Sequence, residues 1–133
     1  MEIKGLDKIL VDTSAWIDFF RKKEPIYSRV LKLLDDDKIC CLGIVLAELI
    51  RSTKSKEEIK ALKDFVYVFT FLAESRKLWE KAGELSFTLK GSGRQIGLAD
   101  CYIAITASEG KAGILTLDEH FSIIKEFLDL KLL

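Results

Sequence analysis

Residues 8–21 read KILVDTSAWIDFFR. Lys8–Asp12 is a short apolar run closed by a carboxylate, and Thr13–Arg21 follows at once as an amphipathic stretch. A change of hydrophobic period with no turn residues between the two halves predicts a buried strand running straight into a helix.

The same alternation continues outward from this segment. A helix is expected from Pro25 to Leu34, with Ile26, Val30, Leu33 and Leu34 at helical spacing and Asp35–Asp37 stopping it in a turn. Lys38–Leu42 reads as a second strand, Gly43–Arg51 and the lysine-rich Lys56–Phe65 as helices, and the β-branched and aromatic Val66–Phe71 as a third strand. Glu74–Leu89 is helical. Gly91-Ser92-Gly93 breaks that helix and, with Gly97, marks Gly91–Gly97 as a mobile loop. A helix from Asp100 to Glu109, a strand Gly113–Leu117, a short helix His120–Phe127 and an edge strand Leu128–Leu132 complete the reading. Strands alternating with helices, and no Asn-Gly or Asp-Gly hairpin turn, predict an α/β fold with a central parallel sheet covered by helices on both faces. The expected organisation is a single domain over residues 1–133.

Composition narrows the function classes. The longest apolar runs, such as Cys40–Ala47, fall far short of the roughly 20 residues that cross a bilayer, and Met1–Asp7 carries Glu2, Lys4 and Asp7. Neither a membrane span nor a signal peptide is expected. Three cysteines, two of them adjacent at Cys40 and Cys41, form no Cys-x-x-Cys pair and have only His120 to join them. Reduced core thiols in a cytoplasmic protein are the expectation. Basic and acidic residues each number 21, so any nucleic-acid site must be local. Between Lys38 and Arg94 the 11 basic residues outnumber the 7 acidic ones.

Ligands of open parallel sheets bind beyond the carboxyl ends of the strands. Asp12 ends the first strand and Asp118 follows Ile114-Leu115-Thr116-Leu117, so both fall on that rim. Asp100 stands at the start of the helix after Gly97-Leu98-Ala99, and Glu48 interrupts the apolar run of its helix. Buried carboxylates cost several kcal/mol unless compensated, and a divalent cation compensates several at once. Taken singly, Asp12 and Asp100 read equally well as helix N-caps, Glu48 as a snorkelling edge residue and Asp118 as a turn residue. As a set they point to a metal centre. An all-oxygen site suits Mg2+ or Mn2+ and the hydrolysis of phosphodiesters.

VDTSAWID at Val11–Asp18, AEL at Ala47–Leu49, LADCYIAITA at Leu98–Ala107 and LTLDEHF at Leu115–Phe121 resemble, in order, the successive motifs of the PIN-domain family. The similarity runs from Val11 to Phe121 and is greatest to the small VapC-type toxins of toxin–antitoxin pairs. It implies a PIN-like three-layer α/β/α sandwich, metal ligation by Asp12, Glu48, Asp100 and Asp118, and hydrolysis of RNA with Mg2+ or Mn2+. Thr13, Ser14 and Thr116 match the family's small polar positions beside those acids, where they would orient carboxylates or water. A homodimer and a small antitoxin that blocks the site are further implications. Such a partner would offer an arginine or lysine to the carboxylates and an amphipathic segment beside Trp16, Phe19 and Phe20. A housekeeping RNA-processing nuclease of the same fold and a non-catalytic RNA- or protein-binding module are the competing readings.

Arg94, in the glycine-flanked loop before Asp100, is a candidate contact for the RNA backbone. His120, two residues after Asp118, could contact a metal or phosphate, but a lone histidine in an apolar EHF context reads more readily as structural. Ser14 with Asp12 and His120 lacks a nucleophile elbow, and Gly91-Ser92-Gly93-Arg94 lacks the Gly-Lys-Ser/Thr of a phosphate loop. The helical spacing of Trp16, Phe19, Phe20, Trp79 and Phe87 suits packing better than base stacking.

Overall fold

The computed structural model describes residues 6–133; the charged start at Glu2 and Lys4 lies outside them. Four short parallel strands form one sheet in the order β3-β2-β1-β4: β1 (Ile9–Val11), β2 (Ile39–Cys41), β3 (Thr70–Phe71) and β4 (Gly113–Leu115). The helices are α1 (Thr13–Phe20), α2 (Ile26–Asp35), α3 (Gly43–Ser52), α4 (Lys56–Val66), α5 (Arg76–Gly91), α6 (Leu98–Glu109) and α7 (His120–Ile124). They flank the sheet as an α/β/α sandwich, with α1 packed on α2 and α3, α3 on α4, and α5 on α6.

β1 lies between β2 and β4, with Leu10 paired to Cys40 on one side and Ile114 on the other. Every residue of these three strands is buried, which is why they carry unbroken apolar runs. Of α6, Cys101 through Ala107 are all buried, so that helix has no polar stripe and forms the centre of its layer. Packing is so close at Gly113 that a side chain there would press within 2.9 Å of Leu6 and 3.1 Å of Leu133.

Cys40, Cys41 and Cys101 are free and buried, as expected. Trp16 is fully buried and packs against Phe19, Phe20, Phe65 and Phe69. It therefore cannot meet a partner from outside. Phe20, by contrast, lines an open apolar groove of about 370 Å³ with Leu49 of α3 and Leu62 and Phe65 of α4.

Several boundaries differ from the sequence-based expectation. Val66 belongs to α4, where it is buried four residues after Leu62; Tyr67 and Val68 are exposed in the turn that follows, and only Thr70–Phe71 is strand. Leu128–Leu132 does not form a strand but contributes an isolated parallel bridge, Ile114 to Leu132. There the Ile114 N–H donates to the Lys131 carbonyl (2.9 Å) and the Leu133 N–H donates to the Ile114 carbonyl (3.0 Å). The stretch after Gly91 is stitched down rather than free. The Arg94 N–H donates to the Leu89 carbonyl, Ser86 Oγ donates to the Ile96 carbonyl, and Ile96 is buried. Gly93 takes φ +82°, a left-handed conformation that glycine adopts without strain.

Candidate metal centre

The rim at the carboxyl ends of β1 and β4 is built by two short hops of chain. Asp12 directly follows Val11 of β1 and occupies the N-cap position of α1, yet its side chain makes no capping bond. Instead Asp12 Oδ2 accepts hydrogen bonds from Thr116 Oγ1 (2.8 Å) and Ser14 Oγ (3.2 Å). Each hydroxyl can turn its one proton to Asp12, and the two hydroxyl oxygens lie 3.3 Å apart. The hydroxyl oxygens in turn accept from the backbone beyond β4: the Leu117 N–H donates to Ser14 Oγ (3.0 Å) and the Asp118 N–H to Thr116 Oγ1 (3.0 Å). Two parallel relays thus tie the loop carrying Asp118 to the carboxylate that ends β1. Ser14 and Thr116 are positioning residues in this arrangement.

Asp12 is only 5% exposed. Burial pushes its carboxyl above the usual range despite the hydrogen bonds from Thr116 and Ser14, and the nearby Glu48 charge adds to the rise. Glu48 approaches from α3, half-buried, and accepts a hydrogen bond from Thr13 Oγ1 (2.7 Å). Asp100 lies in the first turn of α6, which starts at Leu98, two residues earlier than the sequence suggested; Gly97 takes the cap position. Its carboxyl is also raised, first by burial and then by the charges of Asp118 and Asp12, against the hydrogen bond with His120. Asp118 Oδ1 accepts the His120 backbone N–H (2.9 Å), a turn-type contact that fixes its direction.

Asp12, Glu48, Asp100 and Asp118 are thus brought to one rim from four different elements or loops. Among the described residues no lysine or arginine pairs with any of them. Partly buried carboxylates that repel one another with no lysine or arginine to neutralise them make a donor set suited to a hard divalent cation.

His120, read from sequence as structural, belongs to this rim. Its Nδ1 stands 2.9 Å from Asp100 Oδ2 and 3.5 Å from Asp118 Oδ1. The hydrogen bond with Asp100, aided by the Asp118 charge, raises the imidazole above its ordinary value. The signal available in the sequence was the spacing Asp118-x-His120, which places both side chains on one turn. Glu74, beyond β3, is a second residue the motifs passed over. It accepts a hydrogen bond from Tyr102 (2.5 Å) and lies 3.4 Å from the first amide of α3; burial, and then this bond and the Glu74 charge, push the tyrosine hydroxyl up to about 12. Arg94 pairs with none of the four acids; its guanidinium lies 3.5 Å from Glu126 on the surface.

Residues 9–126 match the PIN domain family model. The chain belongs to the PIN-domain family. It is 31% identical over 125 residues to ribonuclease VapC1 of Methanocaldococcus jannaschii, covering 93% of this chain and 86% of that one. Among solved structures it is similar to VapBC2 from Rickettsia felis bound to a promoter DNA fragment, with a TM-score of 0.75 and 26% identity. VapBC-1 from nontypeable Haemophilus influenzae gives a TM-score of 0.74, also at 26% identity. Each match covers 94% of this chain and 96% of the other. No helix among the described residues is long and apolar enough to cross a membrane.

Proposed function

We propose that this PIN-family chain is a divalent-metal-dependent endoribonuclease of the cytoplasm, one domain over residues 1–133, and the toxin of a VapBC-type pair. The observation that carries the reading is the convergence of Asp12, Glu48, Asp100 and Asp118 on one rim where, among the described residues, no lysine or arginine pairs with them, in a chain similar to a ribonuclease of that type.

The four acids would hold Mg2+ or Mn2+. When bound, such an ion supplies Lewis acidity toward a phosphodiester and lowers the pKa of water. The chain's own part is positioning: Thr116 and Ser14 aim Asp12, Thr13 aims Glu48, and the turn at His120 aims Asp118. No side-chain nucleophile is needed for such a hydrolysis. RNA would approach over the exposed rim side of Asp118 and His120, with Arg94 a candidate for a more distant phosphate contact.

Toxin action requires restraint, and a small antitoxin is the partner proposed here, with a homodimer of this chain as the unit it binds. VapBC complexes among the similar structures support that partner. The apolar groove beside Phe20, rather than the buried Trp16, offers accessible surface for an amphipathic segment.

The test is cleavage of single-stranded RNA by the purified chain with Mg2+ or Mn2+, in parallel with excess EDTA and with Asp12→Asn and Asp100→Asn. Cleavage should need the cation and vanish in both folded variants. Undiminished turnover in EDTA would overturn the assignment. Active enzyme that is harmless when expressed alone, and that captures no small co-expressed partner, would favour an RNA-processing role.

A further inference from the structure

His120 adds a nitrogen to a rim otherwise made of oxygen donors. Its Nδ1 lies 2.9 Å from Asp100 Oδ2 and 3.5 Å from Asp118 Oδ1, and one donor atom from each of the three residues falls within 4.8 Å of the others. Ligands at right angles on an ion with bonds of about 2.1 Å stand about 3.0 Å apart, and at the tetrahedral angle about 3.4 Å. Both separations therefore have the length of an edge within a single coordination shell.

The ring is also held where such an edge requires it. The His120 backbone N–H donates to Asp118 Oδ1, so the histidine and one of the acids are fixed to each other by the same turn. The side chains of Asp100, Asp118 and His120 are 23%, 36% and 45% exposed, which leaves an ion a path from solvent. The hydrogen bond between His120 and Asp100 spans one of these edges, so ligation would exchange its proton for a cation.

We propose that His120, through Nδ1, is a ligand of the cation that Asp100 and Asp118 hold, and that this nitrogen moves the centre's preference from Mg2+ toward later first-row ions such as Co2+. The inference rests on the metal-dependent reading above and deepens it. Imidazole binds later first-row ions well, whereas Mg2+ keeps to carboxylate, carbonyl and water oxygen. A histidine that only oriented Asp100 would improve the binding of every ion alike.

Two measurements on the full chain separate these roles. The first is pulsed electron paramagnetic resonance of the Mn2+-loaded protein, read for coupling to a directly bound 14N nucleus. Coupling is expected in the wild type and should disappear in His120→Ala. The second is calorimetric titration of both proteins with Co2+ and with Mg2+. His120→Ala should bind Co2+ about tenfold or more less tightly while its Mg2+ affinity changes less than about threefold. Mn2+ bound without nitrogen coupling, or equal losses for the two ions, would overturn the ligand role and leave the four-acid centre standing. Failure of the wild type to bind any of the three ions would overturn the centre itself, and this inference with it.

Discussion

Thr116→Val is the sharpest test of how the rim is assembled. Valine keeps the branched shape but removes the hydroxyl that donates to Asp12 Oδ2 (2.8 Å) and accepts from the Asp118 N–H (3.0 Å). The Asp118 amide lies on a half-exposed turn and can bond to water, so its loss adds little. The bond to Asp12 is different, because a hydrogen bond to a charged group contributes about 1.5–3 kcal/mol. At about 1.4 kcal/mol per factor of ten, that is about 10- to 150-fold in the affinity of a centre that needs Asp12 charged and aimed. Ser14 still donates to the same oxygen, at the longer distance of 3.2 Å, so the lower end of the range is expected. The assay is RNA cleavage as a function of Mg2+ concentration, with circular dichroism melting as a check on folding. Thr116→Ser should recover most of the affinity. A valine variant whose Mg2+ dependence stays within twofold of wild type, or a serine variant as impaired as valine, would refute the relay described above.

Three further outcomes are expected. In chelator, Asp12→Asn should melt no lower than wild type, because it removes a buried charge that has no basic partner; a melting temperature several degrees lower would contradict the repulsion inferred here. The metal-free protein should lose stability as pH rises from the carboxylate range upward. Asp12 and Asp100 hold protons in the fold that the unfolded chain releases, and the gain from His120 is lost as pH passes its raised native value, so both effects share a sign. Melting curves at pH 5 and pH 8 decide it, and a higher melting temperature at pH 8 would show the sign to be wrong. Arg94→Ala should lower the slope of log affinity for RNA against log salt by about 1, while its exposed pairing with Glu126 is worth less than about 1 kcal/mol to stability. An unchanged slope removes Arg94 from the RNA path.

The sequence carried the strand-to-helix joints well, because burial on both faces leaves an unbroken apolar run and the rim residue comes next in the chain. Val11-Asp12 needed no more than that, whereas β4 stops at Leu115, two residues short of the expected Leu117. Val66–Phe71 failed for a local reason: β-branched and aromatic residues favour strands on average, but Val66 pairs with Leu62 across one helical turn and is buried there. Leu128–Leu132 failed because alternation shows which face is buried, not whether a neighbouring strand has backbone groups to spare. At the rim, the acids were legible as carboxylates in apolar surroundings and the hydroxyls through family likeness. His120 was not, since its partners Asp100 and Asp118 arrive from separate elements and only folding brings Asp100 within 2.9 Å of it.

The isolated bridge at the end of the chain has a consequence for solubility. β4 is an outer strand, and an outer strand with free amides and carbonyls is a template on which another molecule can add its own strand. Lys131 and Leu133 satisfy both outward groups of Ile114, and on the opposite border β3 is only two residues long. Neither border offers a stranger much to pair with. Removing residues 131–133 would uncover Ile114 and leave folded protein prone to self-association.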